Sequence, residues 1–126
     1  MLHFKSLITS ELTSVDKDTG NLSIFNILTD ISVHSFPVVI NNLAVTIILE
    51  QEGDGTPEGV VELLIRQENA PDIIQKLPFV LEKSQIMNLV IRVKNFVAIG
   101  PGKIEFVAKF DNKEIKNTIT ARQVAR

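Results

Sequence analysis

The chain has 126 residues, which is one domain, 1–126, on the usual scale of about 100 to 200 residues per domain. Hydrophobic residues make up 44% and charged residues 22%, which excludes an intrinsically disordered chain, and the absence of cysteine excludes disulfides, thiolate metal sites and cysteine nucleophiles. Residues 1–75 carry three bases against eleven acids, whereas residues 76–126 carry ten bases against four acids. Either the molecule has an acidic and a basic pole, or strands of the two halves interleave and their opposite charges pair locally.

The N-terminal segment, residues 1–6, lacks the charged start, the long apolar stretch and the cleavage site of a secretory signal peptide. No apolar run approaches the roughly 18 residues that a membrane span requires. We therefore expect a cytoplasmic protein that does not contact membranes.

The first third of the chain predicts short strands separated by turns. Leu2 and Phe4 suggest one strand and residues 22–28 a second, with a turn over residues 16–21 in which Gly20 can take a positive φ at little cost. A shorter strand begins near Ile31, and Pro37 marks a break or an edge position.

Strict alternation of apolar and polar residues predicts the later strands. Residues 43–50 and 61–66 alternate on either side of a turn-forming loop, which indicates a hairpin. A long strand over residues 89–99, expected to be central, is followed by strands over residues 104–110 and 115–122, and these three are expected to form a meander. The proline-flanked residues 69–78 could hold one helical turn that covers a sheet face.

About seven or eight strands at intervals of roughly 10 residues, without a convincing helix, predict an all-β fold. We expect an antiparallel two-sheet β-sandwich, immunoglobulin-like in architecture. A closed barrel with the same alternation is the main alternative, because strand periodicity does not distinguish the two.

Several segments resemble a family of small uncharacterised bacterial proteins. They are residues 15–27, the pair Phe36 and Pro37, the turn over residues 100–102 and the final hairpin over residues 111–114. The resemblance implies a free-standing cytoplasmic β-sandwich, and it supplies no catalytic residue and no activity.

Residues that could perform catalysis are few. His3 and His34 lie about 30 residues apart without acids at ligand spacing, so we interpret both as ordinary polar residues. The segment from Gly100 to Lys103 lacks the spacing of a phosphate-binding loop and is interpreted as a turn. We therefore assign no catalytic residue, no cofactor and no bound metal, and we expect that the protein is not an enzyme.

Acidic residues are the candidates for a cation or small-ligand site. Asp16 and Asp18 could offer oxygens to calcium. A second group of acidic residues follows residue 49, and the alternatives for this group are a solvated loop, a cation site or a contact for a basic partner. The full candidate set is Asp16, Asp18, Glu50, Glu52, Asp54 and Glu58. A metal or small-ligand site would need the two groups to meet in one concave region.

Apolar residues on the outward faces of the strands suggest a contact patch. They are Ile48, Val60, Leu64, Val90 and Val107, and residues 117–121 are expected to form an edge strand that recruits other strands. The acidic sequence lacks the basic stripe of a nucleic-acid-binding domain. We expect a non-enzymatic interaction or scaffold module that binds another protein or itself, as a homodimer, through a sheet face or edge. The alternative is a metal-dependent or small-ligand-binding domain that uses the acidic loops.

Overall fold

The computed structural model describes residues 1–53, 55, 57–81 and 86–125. Over these residues the chain is all-β, with 75% strand and no helix. Consequently none of these residues belongs to a helix long and apolar enough to cross a membrane. The described residues form nine strands: β1 (Leu2–Val15), β2 (Leu22–Ile27), β3 (Asp30–Val33), β4 (Val38–Gln51), β5 (Glu58–Gln67), β6 (Ile73–Val80), β7 (Ile86–Ala98), β8 (Gly102–Phe110) and β9 (Lys113–Gln123).

The strands pair into two sheets. A four-stranded sheet has the order β2-β1-β4-β7, and a five-stranded sheet has the order β3-β9-β8-β5-β6. All pairs are antiparallel except β3 with β9, which run parallel. The all-β prediction is confirmed, and the described pairing forms two open sheets. The count of nine strands exceeds the predicted seven or eight because β6 was not predicted as a strand.

β6 replaces the expected helical turn, so that prediction was wrong. The segment pairs with β5 at the edge of the five-stranded sheet, with Pro78 opposite Val60. An edge strand tolerates proline because the missing N–H need not pair with a second neighbour. Prolines near both ends of this segment therefore mark a sheet edge.

Two predicted pairings were also wrong. β4 and β5 do not form a hairpin, because they lie in different sheets, and the same holds for β7 and β8. Only β8 and β9 remain of the expected meander. β7 is the terminal strand of its sheet instead of a central one, and β9 lies between β3 and β8 instead of at an edge. Alternation shows that a strand has two faces, but it does not identify the partner of that strand.

The predicted core positions are confirmed. One hydrophobic cluster combines buried residues of both sheets, including Leu43, Val45, Ile47 and Leu49 of β4, Val61, Leu63 and Ile65 of β5, and Ile104, Phe106 and Ala108 of β8. The two halves of the chain also interleave, since Glu62 and Arg66 of β5 lie opposite Lys109 and Glu105 of β8. Within the five-stranded sheet, the charges of the two halves therefore meet locally.

Gly59 creates a space in which two aromatic rings meet. It lies in β5, directly opposite Phe79 of β6, while Phe110 ends β8 on the other side of β5. The rings of Phe79 and Phe110 make an edge-to-face contact with centroids 5.2 Å apart. A side chain at position 59 would collide with the Phe110 ring, since its Cβ would lie 2.6 Å from Cε2 of Phe110.

Gln67 links the two sheets with its side chain. Its Nε2 donates a hydrogen bond to the Val97 carbonyl oxygen at 2.8 Å, and its Oε1 accepts one from the Ile99 amide at 3.0 Å. The side-chain amide thus joins the end of β5 to the end of β7 in the manner of a neighbouring strand.

β1 contains an irregularity that determines which of its residues face the core. Its register with β4 shifts by one residue between Phe4 and Ser6. Because of this shift, Leu2 and Phe4 contribute to the same core as Leu7, although their positions differ in parity. His3 lies opposite Glu50 on the other face of the sheet.

Candidate functional site

The two groups of candidate acidic residues, at positions 16 and 18 and at positions 50 and 52, do not come together. Leu2 at the start of β1 pairs with Gln51, next to Glu50 and Glu52, whereas Asp16 directly follows the end of the same strand. A strand of 14 residues spans about 45 Å at roughly 3.3 Å per residue. The combined acidic site that the sequence hypothesis requires is therefore not formed. Asp54 lies outside the described residues.

Asp16 and Asp18 build the turn between β1 and β2. The backbone N–H of Asp18 donates a hydrogen bond to Asp16 Oδ1 at 2.8 Å, and the Gly20 N–H donates to the Asp16 carbonyl oxygen at 2.9 Å. Hydrogen bonds from the backbone N–H groups of Asp18 and Thr19 lower the pKa of Asp16 below its ordinary value. The side chain of Asp16 accordingly acts within the turn itself.

His3 joins two of the acidic residues at the opposite end of β1. Its Nε2 lies 3.2 Å from Oε1 of Glu50, the residue directly opposite it on β4. The ligand atoms of His3, Glu50 and Glu52 all lie within 4.8 Å of one another, and we call these three residues the His3 cluster. The interpretation of His3 as a residue without nearby acids was wrong, because strand pairing brings together residues that are far apart in sequence.

Lys5 completes the electrostatic surroundings of Glu50. Its Nζ lies 3.5 Å from Oε2 of Glu50, so the two oxygens of one carboxylate face different partners. The Glu50 side chain is about one quarter exposed, and the side chain of His3 is about one third exposed. Glu58, the last of the candidate acids, begins β5 in the other sheet and does not belong to the His3 cluster.

The predicted outward apolar patch is largely covered. Leu64 and Val107 lie on the outer face of the five-stranded sheet, yet only 6% and 2% of their surfaces are exposed. Val60 is exposed, while Ile48 and Val90 are half-buried. Exposed apolar side chains lie on β1 and β2, where Leu12 lies opposite Phe25, and also on β6, at Ile73, Ile74 and Val80.

The outer edge of β7, which we call the β7 edge, is a second exposed feature. β7 pairs with β4 over nearly its whole length, and no described strand pairs with its other side. Its 13 residues include Arg92 and Lys94 and no acid. Arg92 reaches across β4 and donates hydrogen bonds to the hydroxyl and the carbonyl oxygen of Thr13 on β1.

An open cleft of about 480 Å³ lies in the five-stranded sheet, where β5 ends and β8 begins. It is lined by Arg66, Gln67, Glu68, Asp72, Lys103 and Glu105. Arg66 Nε lies 3.2 Å from Asp72 Oδ2, and Glu105 lies opposite Arg66. A neighbouring cleft of about 270 Å³ borders the turn over residues 100–102. One ion pair, between Arg66 and Asp72, thus lies within the larger cleft, and its lining contains neither histidine.

Comparisons with known proteins concern the family and the fold. A family described as a family of unknown function, DUF6941, matches residues 8–119. No curated protein matches the sequence. Among solved structures, a β-glucosidase from Erythrobacter marinus is similar with a TM-score of 0.59 and 14% identity, over 97% of this chain and 15% of that enzyme.

A β-glucosidase from Listeria innocua, solved with and without glucose, is similar with a TM-score of 0.57 and 9% identity, over 99% of this chain and 17% of the enzyme. The chain therefore spans about one sixth of the length of these enzymes. At such low identity the likeness concerns the fold alone.

Proposed function

We propose that this chain, which belongs to the DUF6941 family of unknown function, is a non-enzymatic protein-interaction module of the cytoplasm. We include in the proposal that its two sheets pack as an immunoglobulin-like sandwich. The hydrophobic cluster that combines the inner faces of β4, β5 and β8 supports this arrangement. The ion pair of Arg66 with Asp72 in the cleft of about 480 Å³ supports a structural role for these two charges.

The observation that carries the proposal is the β7 edge. Of the four terminal strands, β2 has six residues, β3 has four and β6 has eight with a proline among them, whereas β7 has 13 residues without proline. Proteins usually shorten their edge strands or interrupt them with proline, because an open edge pairs with other chains. A long edge without these features favours a strand-accepting surface.

The occupant we propose is an extended segment of another protein that carries acidic side chains. Main-chain hydrogen bonds from such a segment to β7 would supply affinity, and an acidic residue next to Lys94 would supply specificity. The usable part of the edge is residues 87–94. Beyond it, Asn95 takes a positive φ of 54°, and Gln67 already binds the Val97 carbonyl oxygen.

Site-specific photo-crosslinking in cells of the source organism tests this proposal. A photoreactive residue at Asn88, an exposed position on β7, is compared with one at Lys109, an exposed position on β8, which is paired on both sides. We expect a discrete adduct from position 88 and none from position 109, with the partner identified by mass spectrometry.

Other outcomes of the crosslinking would change the proposed partner or refute the proposal. An adduct of twice the chain mass would replace the proposed partner by a second copy of the chain. Equal labelling from both positions, or no adduct from any position between 87 and 94, would refute the proposed use of the β7 edge.

A further inference from the structure

We infer that the His3 cluster binds one divalent transition-metal ion of the zinc type. Three side chains from two neighbouring strands, His3, Glu50 and Glu52, place one nitrogen and two carboxylate groups within 4.8 Å of one another. This inference is independent of the β7 edge and adds a binding site to the proposed interaction module.

Strand pairing holds the ligands in place. His3 and Glu50 are directly opposite in the β1–β4 ladder. Glu52 is held where this ladder continues, because its N–H donates to the Met1 carbonyl oxygen at 2.9 Å and the Met1 amino group donates to the Glu52 carbonyl oxygen. Positions 50 and 52 differ by two, so both side chains emerge on the sheet face that carries His3. The backbone therefore orders the site before any ion arrives.

The distances fit tetrahedral coordination. Zinc binds nitrogen and carboxylate oxygen at about 2.0 to 2.2 Å, which separates neighbouring ligand atoms by about 3.4 Å. His3 Nε2 and Glu50 Oε1, 3.2 Å apart, already have this separation. The exposed Glu52 side chain can rotate inward to supply the third ligand. A fourth position would remain for water or for a group from a partner.

The donor set favours a transition metal over calcium or magnesium. An imidazole nitrogen suits zinc and its neighbours in the transition series, whereas calcium and magnesium prefer an all-oxygen set. Lys5 competes with a metal only at the second oxygen of Glu50, at 3.5 Å, which leaves Oε1 on the side of His3. The neighbouring ammonium therefore neutralises part of the carboxylate charge without occupying the proposed coordination position.

Calorimetric titration of the full chain, free of any histidine tag, with zinc chloride tests the inference. We expect one ion per chain, and binding at least about 10-fold weaker in His3→Gln and in Glu52→Gln, because each removes a ligand. The matched controls are His34→Gln and Glu58→Gln, which change the same residue types outside the His3 cluster. We expect both controls to bind as the unaltered chain does.

A second measurement uses the unaltered chain, so that a folding defect in a variant does not decide the result. Histidine ring resonances are recorded during the zinc titration, and we expect those of His3 to shift while those of His34 stay in place. The inference is overturned if no saturable binding occurs, if several ions bind per chain with equal weakness, or if His3→Gln and His34→Gln bind alike.

Discussion

Replacing Gly59 by alanine tests the packing of the two rings at the end of the five-stranded sheet. The backbone of Gly59 lies outside the left-handed region, so alanine is conformationally acceptable there. Its Cβ, however, would lie 2.6 Å from Phe110 Cε2, whereas ordinary contacts begin near 3.4 Å. The ring would have to retreat by about 0.8 Å, and this movement would disturb its edge-to-face contact with Phe79.

The sign of the stability change is the informative quantity. A glycine-to-alanine change at an unstrained position typically stabilises a protein by about 0.4 to 1 kcal/mol, because it reduces the freedom of the unfolded chain. Inserting a methyl group into a filled space typically costs about 1 to 3 kcal/mol. We expect the second effect to prevail, so that Gly59→Ala lowers the midpoint of urea unfolding while leaving the denaturant slope unchanged.

A double-mutant cycle identifies the contact responsible for the loss. In a Phe110→Ala background the clash is absent, so Gly59→Ala should become neutral or stabilising there. If Gly59→Ala stabilises the unaltered chain, or costs the same in both backgrounds, the proposed contact between this glycine and the Phe110 ring is refuted.

Three further changes have expected outcomes that thermal and chemical denaturation can check. Thr46→Val should raise the free energy of unfolding by about 1 kcal/mol, because the buried Thr46 hydroxyl has no hydrogen-bond partner among the described residues; a loss of stability would contradict this. Gln67→Ala should lower the free energy of unfolding by about 1 to 3 kcal/mol, because two hydrogen bonds are lost. Gln67→Glu keeps the acceptor for the Ile99 amide but loses the donor, so it should lower the free energy of unfolding by an intermediate amount. An alanine variant as stable as the unaltered chain would refute the link between the sheets. Asp16→Asn should reduce the loss of stability on acidification. Because the pKa of Asp16 is lowered in the folded state, the ionised side chain stabilises the fold above its ordinary pKa of 3.8, and this stabilisation is lost as the pH falls through the folded pKa. Identical profiles of stability against pH for the two chains would contradict this.

The inner faces of the strands could be predicted from sequence because burial imposes a strict period of two. Leu43, Val45 and Ile47 follow this period, and all are buried as predicted. The sheet to which each strand belongs could not be predicted, because strand pairing depends on distant segments. The same limitation applies to the outward residues Leu64 and Val107, which are buried on a face that alternation predicts to be exposed.

The candidate site was only partly predictable for a similar reason. Glu50 and Glu52 were selected as acidic residues, and both lie in the His3 cluster. His3 was not selected, because it is 47 positions from Glu50 and no local motif connects them. Only the register of β1 with β4 makes them neighbours. Asp16 and Asp18 carry the composition of a ligand-binding loop but form a turn.

The one-residue shift in β1 identifies Lys5 as the extra residue of an otherwise regular ladder. Without Lys5, Phe4 and Ser6 would follow one another opposite Leu49 and Ile48, and Leu2, Phe4 and Leu7 would keep both their partners and their common face. Natural variants of this segment should therefore lose a residue at position 5 more readily than at the regularly paired positions of β1, where a deletion would turn core residues towards solvent.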